Sequence, residues 1–443
     1  VLYSFYCLLL GIVLLPLKKV LFLPVVEYKI LLADLFFLLS GCIVVFETEV
    51  RERIIQLRYF LVVVFFFLFW ATLSSLISIE PFSTAVFTQL EILALCYDVG
   101  LLLLVFVVAN SPQKLFYALL GWVFAILLSN LLAIYSLVTV PSWGFSYGIL
   151  IGSFVGANQP QIILLPLLPL LIFVGVLKDV HLSIRLTSIF LSCSSVLFVL
   201  ISGSRSGFFM LALEWICCLF VYWGVIKRRF SYSSITFWGQ QATYALLLLV
   251  VLLFGTELSQ TYEPFAGLKR VNRTFDRVFF LKYNKPVKRL TATHYDRISS
   301  GRISIIKAGY SSFKKNIFMG YGLQGTRLLK GAHNHEMHCS YLVLLFETGV
   351  IGLFLGLLMM YLALRRVQIV LKSGANSVET LVLYSLLIGL ASLALYNVFT
   401  NGLRQREMWI LFGVLLSLSY VGESVSERND SDTNLNDYII VRG

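Results

Sequence analysis

Apolar runs such as LVVVFFFLFWATLSSLI at 61–77 recur from one end of the chain to the other. Crossing the roughly 30 Å hydrocarbon layer takes about 20 apolar residues in a helix. Lipid offers no hydrogen bonds, so each run must satisfy its own backbone, and a helix does so locally. The chain therefore reads as an all-α, polytopic membrane protein. Helices are expected near 1–17, 28–46, 59–79, 85–108, 115–139, 160–177, 186–203, 206–226, 242–256, 339–364, 378–400 and 407–422. A 58% hydrophobic composition with only 13% charged residues excludes an ordinary soluble domain. The first run, VLYSFYCLLLGIVLL, has neither a basic stretch ahead of it nor a small-residue cleavage site, and reads as a retained first helix.

Basic residues resist translocation, so the short loops give the orientation. With both termini inside, the inner side holds fourteen Lys and Arg, including Arg51, Lys178, Arg228 and Arg365. The short outer loops hold six: Lys18, Lys19, Lys29, Arg205, Arg404 and Arg406. This divides the chain into spans one to nine (1–256), a large outer loop (257–338), spans ten to twelve (339–422) and a polar tail (423–443) expected to be disordered. The large loop carries fifteen Lys and Arg against five acids between Glu257 and Glu336. It suits attraction to anionic head groups, or a site that gathers an anionic substrate at the outer surface.

The seven cysteines show no CxxC spacing, and all but Cys339 lie in apolar runs, where buried free thiols are expected. Ionisable residues inside spans are costly and point to function. Asp34, Glu91 and Asp98 lie near span ends, whereas Glu214 and Glu347 lie deeper.

Three outer stretches combine charge with glycine. In ISGSRSGFF, 201–209, Arg205 stands in a tight turn before a helix whose free N–H groups suit an anion. In SGRISIIKAGYSSFKKNIFMGYGLQG, 300–325, Arg302 opens an amphipathic helix with Ile303, Ile306, Tyr310 and Phe313 on one face, followed by a glycine turn. In GAHNHEMHCSYLVLLFETGVIG, 331–352, His333, His335 and His338 precede Cys339. The spacing leaves three readings: a zinc site, an incidental loop, or a general base. The third is favoured, because histidine titrates nearest neutrality and a neighbouring basic loop would hold it unprotonated.

These stretches resemble the O-antigen ligase and O-antigen polymerase superfamily of membrane glycosyltransferases. FVGANQPQIILLPLLPLL at 154–171, with Asn158, is similar to the family's entry to a proline-bearing helix. ISGSRSG and SGR…GYGLQG resemble its outer turn and amphipathic helix. The most specific likeness is His338, ten residues, then GxxG, with Tyr341 and Glu347-Thr-Gly in step. The sequence departs at Cys339, where the family usually has Asn, Ser or Gln. It also lacks the glycine that follows arginine by eleven residues in some polymerases, since positions 216 and 313 are Ile and Phe.

The resemblance implies a GT-C-like architecture of about twelve spans in a bacterial inner membrane, with a large periplasmic loop carrying amphipathic helices. It implies transfer of a glycan from undecaprenyl pyrophosphate to a hydroxyl of the lipid A core or of a growing glycan, with inversion and without metal or cofactor. His338 would take the acceptor proton, and Arg205 and Arg302 would hold the pyrophosphate in their planar forks. Tyr341, Glu347 and Asn158 would support the site. The partners are membrane lipids and lipid-linked glycan, with no nucleic acid. A ligase is the first reading and a polymerase the second. A transporter of lipid-linked sugars or a membrane scaffold are readings of other classes.

Overall fold

The computed structural model describes residues 2–17, 22–25, 28–46, 49–77, 85–139, 145–146, 149–150, 160–261, 302–314, 316–323, 325, 339–372, 377–400 and 405–421. Its helices run α1 Leu2–Leu14, α2 Leu32–Val44, α3 Glu49–Gln56, α4 Arg58–Ile77, α5 Ala85–Val108 and α6 Pro112–Thr139. There follow α7 Pro160–Leu164, α8 Leu168–Val176, α9 Leu182–Ile201, α10 Arg205–Val221 and α11 Ser234–Thr261. Then come α12 Arg302–Phe313, α13 Ser340–Lys372, α14 Ser377–Phe399 and α15, residues 406–421.

Each of the twelve expected segments coincides with helix, but in unequal lengths. Among the described residues, eight helices are long and apolar enough to cross a membrane, within α4, α5, α6, α9, α10, α11, α13 and α14. The other four segments are α1 and α2, with 13 residues each, the interrupted pair α7 and α8, and the 16-residue α15. The chain is a multi-pass membrane protein with eight candidate crossings among the described residues. Helix α2 begins at Leu32 instead of 28, because Tyr28–Leu31 (β2) pairs antiparallel with Phe22–Val25 (β1). A second small hairpin pairs Phe145–Ser146 (β3) with Ile149–Leu150 (β4), so two hairpins qualify the all-α expectation.

Helix α11 starts eight residues before its expected position, and aromatic packing explains the extension. Phe237 stacks on Tyr222 at 3.7 Å between centroids, at the π-helical turn Tyr222–Ile226 that prolongs α10.

One continuous apolar core runs through the bundle, and polar groups pin helices together inside it. Ser4 Oγ donates to Ser40 O at 3.0 Å while Ser40 Oγ donates to Ser4 O at 2.7 Å, clamping α1 to α2. Such interhelical bonds between small residues replace the hydrophobic drive that lipid removes. All five carboxylates singled out in the sequence are buried. Asp34 accepts from Arg406 Nε at 2.8 Å and from the Tyr97 hydroxyl at 2.7 Å, tying α2, α5 and α15.

The cysteines depart from expectation. All seven are free, but of the six in apolar runs only Cys218 is buried, while Cys42 and Cys96 are exposed on outward faces of the bundle. Hydropathy alone does not separate a core-facing from a lipid-facing thiol.

Arg406 is 26% exposed, but removing it leaves the buried Asp34 carboxylate without its cation. Arg406→Ala is expected to destabilise the protein by about 3–5 kcal/mol, and Asp34→Ala/Arg406→Ala by less than that. Thermal unfolding in detergent checks this, and a double variant weaker than either single one would contradict it.

Candidate functional site

The site is organised by an interruption in α13. Gly349 takes φ 71° and ψ −174°, in the left-handed half of the map that L-side chains avoid, and the helix breaks there. A break within an apolar layer frees backbone groups that lipid cannot satisfy. Four of these groups pair with neighbouring segments. Phe346 O accepts from Tyr321 N at 2.9 Å, and Glu347 O accepts from Gly322 N at 2.8 Å and from Ser74 Oγ at 2.8 Å. Thr348 O accepts from the Trp70 indole at 2.8 Å, and Val350 N donates to Ile317 O at 3.0 Å. The partners come from α4 and from residues 316–323.

This explains the glycines in both motifs. A β-carbon on Gly349 would collide with Phe318 O, and one on Gly320 would stand 2.5 Å from Glu347 O. Gly320 and Gly322 also carry φ 73° and 76°. The turn itself is closed by Asn316, whose Nδ2 donates to Gly320 O at 2.7 Å. Helix α4 holds its other side: Leu323 N donates to Ser75 Oγ at 3.0 Å, and Ser74 Oγ also donates to Met319 O. The backbones touch at a β-carbon's distance, and only glycine permits it.

Above the break, the first turn of α13 is anchored to α14. Ser340 donates through both N and Oγ to Thr400 O, at 3.1 and 2.9 Å. Tyr341 donates its hydroxyl to Ala394 O at 3.1 Å. A cavity of about 90 Å³ lies beside this turn, and Tyr341, Glu347, Asp98, Glu91 and Leu323 line it among apolar neighbours. Helix α12 docks nearby, with Phe313 5.3 Å from Phe346 between ring centroids and in a small cluster with Val343. The face that α12 buries differs from the expected one: Gly309 and Phe313 are inward, while Tyr310 is exposed, with Lys314 Nζ 4.9 Å from its ring.

Of the residues singled out in the sequence, Tyr341, Glu347, Glu91 and Asp98 meet at this cavity. His338, His333, His335 and Asn158 lie outside the described residues, as do loop residues 262–301 and the tail from 422. His338 immediately precedes Cys339, whose carbonyl accepts from Val343 N at 2.9 Å. Arg302 is the first residue of α12 and Arg205 the first of α10. Before Arg205, Gly203 turns with φ 64° and Ser204 caps α10, its Oγ accepting from Gly207 N at 3.2 Å. Among the described residues, no three His, Cys, Asp or Glu are grouped to hold a metal.

Sequence reasoning missed Trp70, Ser74 and Ser75. Their signal was an indole and two hydroxyls in an otherwise apolar span, each a donor that lipid cannot satisfy.

Residues 189–357 match the family model for O-antigen ligase, less than half of the chain but containing the arginine turn, α12 and the break in α13. The match supports the O-antigen ligase and polymerase superfamily, whose members are glycosyltransferase-like enzymes. No curated protein matches the chain.

Gly349→Ala places a side chain both in a disfavoured conformation, costing about 1–3 kcal/mol, and against Phe318 O. It is expected to lower the yield of folded protein sharply, as read by size-exclusion in detergent. Trp70→Phe removes only the donor to Thr348 O, and a loss of about 1–3 kcal/mol is expected in thermal unfolding. An unchanged melting temperature in both variants would contradict the assignment of the break.

Proposed function

We propose that the chain is an O-antigen ligase-type glycosyltransferase of a bacterial inner membrane, crossing it twelve times with both termini cytoplasmic. It moves a glycan from undecaprenyl pyrophosphate to a hydroxyl of the lipid A core at the periplasmic face. The observation that carries this reading is the stitched break in α13, which lies within the family match on the helix that follows His338 in the sequence. With helices crossing alternately, the starts of α10 and α13 and the end of α14 fall on one face. Glu214 lying against Ser392 fits α10 beside α14 in that arrangement.

The chemistry divides among three groups. As the glycosidic bond breaks, the bonding pair leaves with the pyrophosphate, which needs charge stabilisation and no proton. Arg205 and Arg302 supply that charge in bidentate geometry. The acceptor hydroxyl is a weak nucleophile, and His338 removes its proton as the new bond forms on the opposite face of the sugar, inverting the anomeric centre. Tyr341 supports the site from α13, where its hydroxyl proton is spent on Ala394 O; the phenolic oxygen can still accept a hydrogen bond. Asn158 lies just ahead of α7, and Glu347 borders the cavity.

A polymerase joining lipid-linked repeat units is the second reading within the family. A transporter of lipid-linked sugars gains one observation: two interrupted helices, the α7–α8 pair and α13, a feature that transporters share. Chemistry on purified protein separates enzyme from transporter, and surface lipopolysaccharide separates ligase from polymerase. Deleting a ligase leaves bare core with lipid-linked polymer accumulating, whereas deleting a polymerase leaves core bearing one repeat.

His338→Ala is expected to abolish transfer with normal membrane abundance, and full activity would remove the assignment. Arg302→Lys keeps charge but loses the fork, so its rate is expected to fall by about a hundredfold; a wild-type rate would take Arg302 out of the site.

A further inference from the structure

A carboxamide buried in an apolar layer is costly unless it is hydrogen-bonded. Gln161, on the first turn of α7, is 0% exposed. Its Nε2 donates to Ser202 Oγ at 3.1 Å, and Ser202 Oγ donates in turn to Val199 O at 2.8 Å. Ser202 opens the turn that delivers Arg205 to the start of α10, through Gly203 at φ 64° and the Ser204 cap. A β-carbon on Gly207 would stand 2.9 Å from Gln161 Cγ and 3.0 Å from its Nε2, so nothing intervenes between the carboxamide and the first turn of α10.

Gln161 is itself held firmly. Its carbonyl accepts from Leu165 N at 3.0 Å, and the Trp122 indole donates to Ile163 O at 2.9 Å in the same short helix. Beyond it, Pro166 O lies against Gly389 of α14, where a β-carbon would collide with it. The interrupted helix is thus wedged between α6 and α14, and its one buried carboxamide reaches the arginine turn.

We infer that Gln161 is a positioning residue for the leaving-group site: through Ser202 it sets the height of the 202–205 turn and so the backbone position from which Arg205 serves the departing pyrophosphate. The inference rests on the role given to Arg205 above. Gln161 acts on the reaction only through that arginine, and misplacement by about 1 Å can cost a hundredfold in rate.

The test uses the full chain in lipid nanodiscs with an undecaprenyl-pyrophosphate-linked oligosaccharide as donor. Gln161→Met keeps length and bulk but removes the carboxamide, and Ser202→Ala removes the same bond from its other end. Each is expected to lower kcat by about tenfold with KM for the donor within about twofold, and Arg205→Ala by about a hundredfold. Gln161→Met/Arg205→Ala is expected to be no slower than Arg205→Ala alone. Losses that multiply in the double variant, or wild-type kcat in both Gln161→Met and Ser202→Ala, overturn the positioning role. If one of the two fails to accumulate, the other carries the same prediction. Arg205→Ala at full rate would instead overturn the proposed role of Arg205, and Gln161 would lose its purpose with it.

Discussion

A helix that breaks inside a membrane must return every freed peptide group to a hydrogen bond, at a cost of several kcal/mol for each one left unpaired. That constraint organises the functional half of this protein. The break at Gly349 exposes the carbonyls of Phe346, Glu347 and Thr348 and the amide of Val350, and residues 316–323 together with α4 supply a partner for each. Residues 316–323 are thereby fastened to α4 and α13. The same strategy recurs at the α7–α8 interruption. There Trp122 donates to Ile163 O as Trp70 donates to Thr348 O, an indole from a neighbouring span in each case.

The glycine motifs are consequently architectural. Gly320, Gly322 and Gly349 let two stretches of backbone approach until only hydrogen remains between them, and a side chain on Gly352 would run into Thr348. None of these positions contributes a reacting group. In the proposed reading the chemistry falls to the arginines that begin α10 and α12 and to the histidine that precedes α13 in the sequence. Anchoring Ser340 twice to Thr400 O and Tyr341 once to Ala394 O restricts how that first turn can move against α14.

Much of this was legible in the sequence, for a physical reason: the length of an apolar run is set by the thickness of the membrane, so the helices declare themselves. Their exact starts were less legible, because Ile30 and Leu31 at the end of β2 run without a break into the apolar residues of α2. Which face of a helix meets lipid and which meets protein was not legible, since both faces are apolar; Cys42 and Cys96 read as core residues and face outward. Tyr310 misled in the same way, its spacing matching the buried stripe while its ring lies exposed. The spacing from His338 to Gly349 and Gly352 was visible, but the break was not. A glycine in a membrane helix looks the same in sequence whether it packs, bends or interrupts, and the partners that decide it sit 278 residues away at Trp70 and 273 away at Ser74.

The central claim is that residues 316–323 are fastened to the interrupted α13, and amide hydrogen exchange tests it most directly. Tyr321, Gly322 and Val350 are paired backbone to backbone across that junction. Peptides spanning 316–323 and 346–352 in the protein reconstituted in lipid should exchange as slowly as the neighbouring helical segments. Exchange of 316–323 at the rate of an unpaired loop, with 346–352 protected as continuous helix, would contradict the account.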